Sequence, residues 1–268
     1  MAIHSQLNPI AFTIGPLPVH WYGIAFAATF VFGEWLVRRM LAREGRSDID
    51  TSRLVLYAMV GAVLGARIVH CAFYDPQYYL AKPWKILAVW EGGLASHGGV
   101  IGLVLGLVIA TRKLAPGTLV YLLDRITIPS ALGGAVVRLA NFINSEILGM
   151  PTEGEFGVIF DSIDQIPRHP VQLYEAAAYL VLGALLFGLY SRSTAWTKPG
   201  MLTGIFLVGI FSSRLLLESF KVPQAAYEGG NLVSVGQALS VPFIALGLLL
   251  ILRSASRGPI IHVAKRPL

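Results

Sequence analysis

Charged residues are scarce in this sequence. Only 13% of its 268 residues are Asp, Glu, Lys or Arg, about half the share found in soluble globular proteins. Hydrophobic residues make up 55%, and the mean hydropathy is +0.65. The composition therefore predicts a polytopic membrane protein and argues against a soluble enzyme or a disordered chain.

Cysteine is nearly absent as well. The single Cys71 excludes an intrachain disulfide and a CxxC metal site. The sequence contains neither an HExxH metal motif nor a Gly-x-Ser-x-Gly nucleophile elbow, so we expect no metal and no other cofactor. No basic residues precede the first apolar run, which argues against a cleaved signal peptide.

Seven apolar stretches approach the length of about 20 residues that a helix needs to cross a bilayer. They are residues 17–37, 54–73, 94–111, 119–138, 171–190, 200–219 and 235–252. The third is rich in glycine, which predicts close approach of a neighbouring helix at Gly98, Gly99, Gly102 and Gly106. The predicted fold class is all-α, with residues 1–268 forming one integral membrane domain of seven transmembrane helices.

The basic residues indicate how these helices are oriented. Thirteen of the 21 lysines and arginines lie in one set of connections, at 38–53, 112–118, 191–199 and the tail from residue 253. Four lie in the other set, at 1–16, 74–93, 139–170 and 220–234. By the positive-inside rule the first set is cytoplasmic, which places the N-terminus outside and the C-terminus inside. The net charge of +6 then reports topology, and we expect no nucleic-acid partner.

Two of the outer connections are more than turns. Residues 74–93 combine five aromatic residues with two lysines, which fits a segment lying in the headgroup layer or an ordinary aromatic belt. Residues 139–170 are polar and contain several glycines and prolines. They predict a small extracytoplasmic cap.

Ionisable side chains within the spans cost several kcal/mol unless they are paired or reach water. Glu34, Asp124 and Arg125 lie near the cytoplasmic ends, where local pairing explains them. The others share one depth, within roughly 10 Å of the outer boundary at 1.5 Å per residue; they are Tyr22, Arg67, His97, Arg138, Glu175, Arg214 and Glu218. This common depth predicts a single polar cavity in the outer leaflet.

Several arginines without matching acids predict an anionic ligand, because a guanidinium group binds phosphate bidentately. At headgroup depth that anion is most simply a phospholipid phosphate. Arg214 and Glu218 are spaced i, i+4, so these two residues could instead neutralise each other. A transporter or channel for a lipid or organic anion would also use intramembrane arginines, although it would need polar residues at the midplane. A non-catalytic phospholipid-binding scaffold is a further alternative.

The densest polar run lies at the end of the fourth span. It reads Arg138-Leu-Ala-Asn141-Phe142-Ile-Asn144-Ser-Glu146-Ile-Leu-Gly149. Arg138 and Asn141 share a helix face, and asparagine can both donate and accept, so it can orient a phosphate and a glycerol hydroxyl. The alternative is a polar helix end that leaves the membrane.

This run resembles the signature of the bacterial phosphatidylglycerol–prolipoprotein diacylglyceryl transferase family, usually Gly-Arg-x-Gly-Asn-Phe-x-Asn-x-Glu-x-x-Gly. It departs from that signature at Val137 and Ala140. Further matches follow the family's order: His20-Trp21-Tyr22-Gly23, Gly65-Ala66-Arg67, Gly92-Gly93-Leu-Ala-Ser96-His97-Gly98-Gly99, Arg168-His169-Pro170-Val-Gln172-Leu-Tyr174-Glu175, and Arg214 through Glu218.

The resemblance implies transfer of the diacylglyceryl group of phosphatidylglycerol to the lipobox cysteine thiol of a prolipoprotein, with a thioether formed and glycerol phosphate released. The implied location is the bacterial cytoplasmic (inner) membrane, with the active site facing the outer leaflet. The implied partners are phosphatidylglycerol, prolipoprotein signal peptides with a lipobox cysteine, and membrane lipids.

The resemblance also assigns roles to residues. The catalytic residues are expected to be His97, Arg138 and Arg214. Direct substrate contacts are expected from Tyr22, Arg67, Asn141, Asn144, Glu146, Gly149 and Glu218, with Gln172 and Glu175 supporting them. His97 is chemically suited to accept the thiol proton, but a histidine between glycines could equally bind a headgroup oxygen or fix a loop.

Overall fold

The computed structural model describes residues 3–89, 93, 95–115, 118–154, 156–194, 197–222 and 235–256. For Ser96, His97 and Val235 it describes the backbone alone.

Eight α-helices are present in this part of the chain. They are α1 (Trp21–Arg43), α2 (Thr51–Phe73), α3 (Pro76–Ala81), α4 (Ser96–Leu114), α5 (Leu119–Ile143), α6 (Val171–Arg192), α7 (Met201–Leu217) and α8 (Val235–Ser256). Each of the seven predicted apolar stretches overlaps one of the long helices. Five of these, namely α2, α5, α6, α7 and α8, are long and apolar enough to cross a membrane. The protein is therefore mostly helical, with the character of a multi-pass membrane protein.

Four short strands, which the sequence did not predict, accompany the helices. They are β1 (Ile3–Ser5), β2 (Ile10–Ile14), β3 (Leu17–His20) and β4 (Val158–Phe160). β2 and β3 form an antiparallel hairpin, and its turn uses Gly15 at a φ of +57°, a value that suits a two-residue hairpin loop. Because residues 17–20 are a strand, the prediction that the first helix begins at residue 17 is wrong, and α1 begins at Trp21.

The described residues form two compact units, whose boundaries fall within α1 and α5. The first unit comprises residues 3–33 and 123–256, and the second comprises residues 34–122.

In the second unit, α2 packs against α4 through glycines. A Cβ at Gly102 would lie 2.8 Å from the carbonyl carbon of Gly61 and 2.9 Å from Cα of Gly65. Gly98 and Gly106 lie equally close to the α2 backbone. The two backbones touch without intervening side chains, which is the packing that small residues allow. The close approach that the glycine-rich third stretch permits is present at Gly98, Gly102 and Gly106, whereas Gly99 makes ordinary contact with α2.

In the first unit, the core lies among α5, α6 and α7. Ala135, Ala176 and Tyr179 are buried together, with Ile210 packed against them. The start of α7 is held by a carboxylate on α5, because Asp124 accepts hydrogen bonds from the backbone N–H groups of Gly200 (2.7 Å) and Thr203 (2.8 Å). A negative side chain here satisfies N–H donors that a helix start leaves without partners.

The segment between α5 and α6, which the sequence predicts to form a cap, is tied to β1. β1 pairs in parallel with β4, with Ile3 opposite Val158 and Ser5 opposite Phe160. His4 and Gln6 each make a hydrogen bond of 2.9 Å to the Asp161 carboxylate. These bonds reinforce the pairing of β1 with β4, and they lower the pKa of Asp161.

Candidate active site

The centre of the candidate site is a buried ion pair between α5 and α6. Arg138 Nε lies 3.0 Å from Glu175 Oε2, and the Glu175 side chain is fully buried. Arg138 also donates to Asn141 Oδ1 at 3.2 Å and lies within electrostatic reach of Tyr179. Glu175 and Asn141 thus fix the direction of the guanidinium, while its own side chain keeps 13% exposure.

A second group of polar residues follows where α5 ends. Asn141 Nδ2 donates to Glu146 Oε2 at 2.8 Å, and Asn144 Nδ2 donates to Glu146 Oε1 at 3.2 Å. The backbone on both sides of Glu146 is strained, because Ser145 and Ile147 have φ values of 55° and 54°. Left-handed conformations of residues with a Cβ cost about 1–3 kcal/mol and concentrate at functional sites.

Gln172 and Tyr22 border this group. Gln172 is fully buried and donates to the backbone carbonyl of Glu146 at 2.6 Å. Among the described residues, neither its own Oε1 nor Asn144 Oδ1 has a hydrogen-bond partner, although both atoms are buried. Tyr22 lies within electrostatic reach of Glu146 and Arg138.

A third arm of the network runs through a lysine. The helix after Arg214 tightens into a 3-10 turn at Glu218–Phe220, and Lys221 follows. Lys221 Nζ lies 3.0 Å from Glu175 Oε1 and 2.9 Å from Glu218 Oε2. The lysine side chain is 6% exposed, so both ion pairs are shielded from water.

The backbone of Lys221 is held by strand-like pairing with the cap. Met150 donates to the carbonyl of Phe220 at 2.7 Å, and Val222 donates to the carbonyl of Leu148 at 3.1 Å. Gly149 sits opposite Lys221 in this bridge. A Cβ at Gly149 would lie 2.9 Å from the carbonyl carbon of His169, so any larger residue at this position would collide with His169.

Arg214 differs from the other cations of the site. Its side chain is within electrostatic reach of Tyr179. Among the described residues it has no ion pair, because Glu218, one helical turn away, is bonded to Lys221 instead. The mutual neutralisation of Arg214 and Glu218 that their spacing allows is therefore absent in this conformation.

Arg67 belongs to the second unit, where it organises the segment before α4. Its Nε donates to the carbonyl of Ile86 at 2.9 Å, and its two terminal nitrogens donate to the carbonyls of Ala88 (3.0 Å), Gly93 (3.2 Å) and Lys85. The guanidinium also lies 5.1 Å from the ring centroid of Tyr79. This buried arginine holds the chain that leads into α4.

His97 is in the first turn of α4. Its side chain, for which a catalytic role is predicted, lies outside the described part of the chain. The α4 glycines one and two turns further on are in contact with α2.

The first unit thus brings together most of the predicted site residues. One connected set of hydrogen bonds and ion pairs contains Arg138, Asn141, Asn144, Glu146, Gln172, Glu175 and Glu218. Sequence reasoning missed Lys221, which joins this set through Glu175 and Glu218, and Tyr179, which lies within electrostatic reach of it. The available signal was their spacing from predicted residues, since Tyr179 is four residues after Glu175 and Lys221 is three after Glu218.

The sequence is similar to one protein family over most of its length. Residues 9–253 match the family model for prolipoprotein diacylglyceryl transferase. A protein of Tolumonas auensis named phosphatidylglycerol–prolipoprotein diacylglyceryl transferase is 50% identical over 248 residues, covering 92% of this chain and 96% of the relative. Proteins of the same name from Chloroherpeton thalassium and Porphyromonas gingivalis are 42% and 39% identical, with 94% and 95% of both chains covered.

Proposed function

The chain belongs to the prolipoprotein diacylglyceryl transferase family, and from this premise we propose that it transfers the diacylglyceryl group of phosphatidylglycerol to the lipobox cysteine of a prolipoprotein. The cysteine sulfur attacks the carbon of the diacylated glycerol that carries the phosphate ester. A carbon–sulfur bond forms, the carbon–oxygen bond breaks, and glycerol phosphate leaves with the bonding electrons. The thiol proton goes to a base, so atoms and charge balance.

The main support for this proposal is that Arg214 has no acidic partner among the described residues and that Arg138 is held in a fixed orientation. Negative charge develops on the phosphate as the ester bond breaks, and fixed cations stabilise it most in a site that excludes water. Arg214 has no acid partner among the described residues, so its guanidinium is available for an anion. Arg138 is oriented by Glu175 and Asn141. Together they form a phosphate clamp.

The polar residues beside Arg138 suit the free glycerol of the headgroup. Asn144 Oδ1 and Gln172 Oε1 are buried acceptors without partners in the described part of the chain, and hydroxyl groups are the donors they lack. Glu146 is exposed and keeps accepting capacity beyond its two amide bonds. Tyr22 completes this side as a further headgroup contact.

The nucleophile needs a base, and we assign that role to His97. A thiol with a pKa of about 8.5 is mostly protonated at neutral pH, and the thiolate is the reactive form. Histidine has a reference pKa near 6.5, which suits a proton acceptor at that pH. The arginines do not deprotonate, but they favour the thiolate electrostatically.

Other predicted residues take supporting places in this proposal. Arg67 positions the segment leading to α4, and Gly149 allows the cap to pair with the chain at Lys221. Glu218 and Glu175 hold Lys221, which favours a supporting role for Glu218 over direct substrate contact.

For the membrane arrangement, we propose seven spans, the N-terminus outside, and a site open to the outer leaflet of the bacterial inner membrane. The strong excess of basic residues in one set of connections supports this orientation. In the segment predicted to lie at the interface, Leu80, Leu87 and Trp84 are exposed at 82%, 76% and 65%. Exposed apolar and aromatic side chains beside lysines fit the headgroup layer.

The test is a reconstituted reaction of the purified protein with phosphatidylglycerol vesicles and a lipobox peptide. We expect the mass of one diacylglyceryl group to be added to the peptide cysteine, and an equal amount of glycerol phosphate to be released. A peptide with the lipobox cysteine replaced by serine is the control. Folded protein that gives no adduct would contradict the proposal, and lipid flux without adduct would favour an anion or lipid transporter.

A further inference from the structure

Lys221 lies outside the family resemblance noted in the sequence, yet its side chain is more buried than that of Arg138, with exposures of 6% and 13%. It stands between two carboxylates that come from different elements, Glu175 on α6 and Glu218 after α7. A buried charge without a partner costs several kcal/mol. Each of the two carboxylates therefore binds Lys221 strongly.

Glu218 has two cations within reach along its own segment. Arg214 precedes it by four residues and Lys221 follows it by three. The turn Glu218–Phe220 is a 3-10 helix, in which side chains three residues apart eclipse each other. This geometry favours a pair with Lys221, and Glu218 Oε2 lies 2.9 Å from Lys221 Nζ.

Packing on the other side holds the carboxylate in this position. Gly236 in the first turn of α8 lies directly against it, since a Cβ there would be 2.8 Å from the carboxylate carbon of Glu218. The bridge between Gly149 and Lys221 holds the lysine backbone. Both partners of the Lys221–Glu218 pair are therefore fixed by separate elements.

The charges of the four-residue chain Arg138–Glu175–Lys221–Glu218 cancel. Without Lys221, Glu175 would keep Arg138 as its partner, and Glu218 would have its i, i+4 neighbour Arg214 as the nearest remaining cation on its segment. That pair would occupy the guanidinium that the proposed reaction needs for phosphate.

We propose that Lys221 is a positioning residue that keeps Arg214 available for the phosphate of the lipid by holding Glu218 away from it. This inference rests on the proposed transferase function. It predicts that loss of Lys221 weakens phospholipid binding through Glu218 and that removing Glu218 repairs the defect.

The experiment compares four variants of the full-length protein in the transfer assay, with KM for phosphatidylglycerol and kcat measured separately. Lys221→Met should raise KM about tenfold or more, the equivalent of one lost charge-assisted hydrogen bond, and Lys221→Arg should retain a KM near that of the parent. Lys221→Met/Glu218→Gln should recover most of the KM. Lys221→Met/Glu175→Gln is the matched control: it removes the same charge but should not recover KM, because Glu218 remains beside Arg214.

Equal recovery in both double variants would overturn the proposal, since charge balance alone would then explain the defect. An unchanged KM in Lys221→Met would overturn it as well. The melting temperature of each variant is measured as a control for folding. If Lys221→Met does not fold, the two double variants are compared with each other. If neither double variant folds, Lys221 is purely structural and the proposal is wrong. An inactive parent protein would instead refute the transferase function.

Discussion

Replacing Gly102 with alanine should separate α2 from α4. The added Cβ would lie 2.8 Å from the Gly61 carbonyl carbon and 2.9 Å from Gly65 Cα, whereas carbon atoms in contact stay about 3.5–4.0 Å apart. The carbonyl oxygen of Gly61 would lie closer still, so the helices must move apart by roughly 1 Å or more. All three obstacles are backbone atoms, which cannot rotate away as a side chain would.

The expected cost is that of an overpacked core, about 1–3 kcal/mol. In detergent this should lower the melting temperature by on the order of 5 °C, measured by circular dichroism or tryptophan fluorescence on the purified protein. Gly99→Ala, on the same helix, is the control. Its Cβ would lie 3.6 Å from its nearest neighbours on α2, which is ordinary contact, so the variant should be as stable as the parent or slightly more stable because alanine favours helix.

Gly61→Ala places its Cβ in the same crowded contact from the other side. Once one alanine has pushed the helices apart, the second meets less resistance, so the double variant should lose less stability than the two single variants combined. Equal melting temperatures for Gly102→Ala and Gly99→Ala would refute the close approach of these helices. Strict additivity with Gly61→Ala would show that the two positions do not share one contact.

Three further predictions concern the first unit. Arg138→Ala and Arg214→Ala should each abolish transfer in the reconstituted assay while the protein remains folded; near-normal rates in either would contradict the phosphate clamp. Asp124→Ala leaves the buried N–H groups at the start of α7 without acceptors, and a loss of about 1–3 kcal/mol for such a group should appear as a lower melting temperature with little change in KM. The hydrogen bond from Arg168 is the main cause that lowers the pKa of Asp164 from its ordinary 3.8. The pair's contribution to cap stability should therefore be complete above pH 3.8 and be lost only as the pH falls through the lowered pKa. Hydrogen-exchange protection of the cap should be equal at pH 7 and pH 5, and a loss of protection already at pH 5 would contradict this prediction.

Much of the helical architecture could be predicted because bilayer-length apolar runs leave few alternatives. All seven stretches overlap helices, and the glycine spacing in the third indicated the tight packing of α4. The strands escaped prediction because they are three to five residues long and β1 pairs with a partner far along the chain. Leu17 was placed in a span because its neighbours are apolar, but the turn at Gly15 and pairing with β2 make it part of a hairpin.

The candidate site shows the same division between local and distant information. The run from Arg138 to Glu146 is contiguous, so its mutual hydrogen bonds follow from short spacings. The pairing of Glu175 with Arg138 and Lys221 joins three elements, and no spacing within one helix reveals it. Two partners were available to Glu218 from sequence, and only the 3-10 turn decides between them.

The parallel pairing of β1 with β4 sets an order of assembly. Ile3 meets Val158, so β1 waits until roughly 150 further residues have been synthesised, on the order of ten seconds at ordinary rates of synthesis. During that time the N-terminal strand has an unpaired edge, which invites wrong pairing. Closure of the cap therefore cannot precede the synthesis of β4, and a bulky fusion placed directly before β1 would obstruct it.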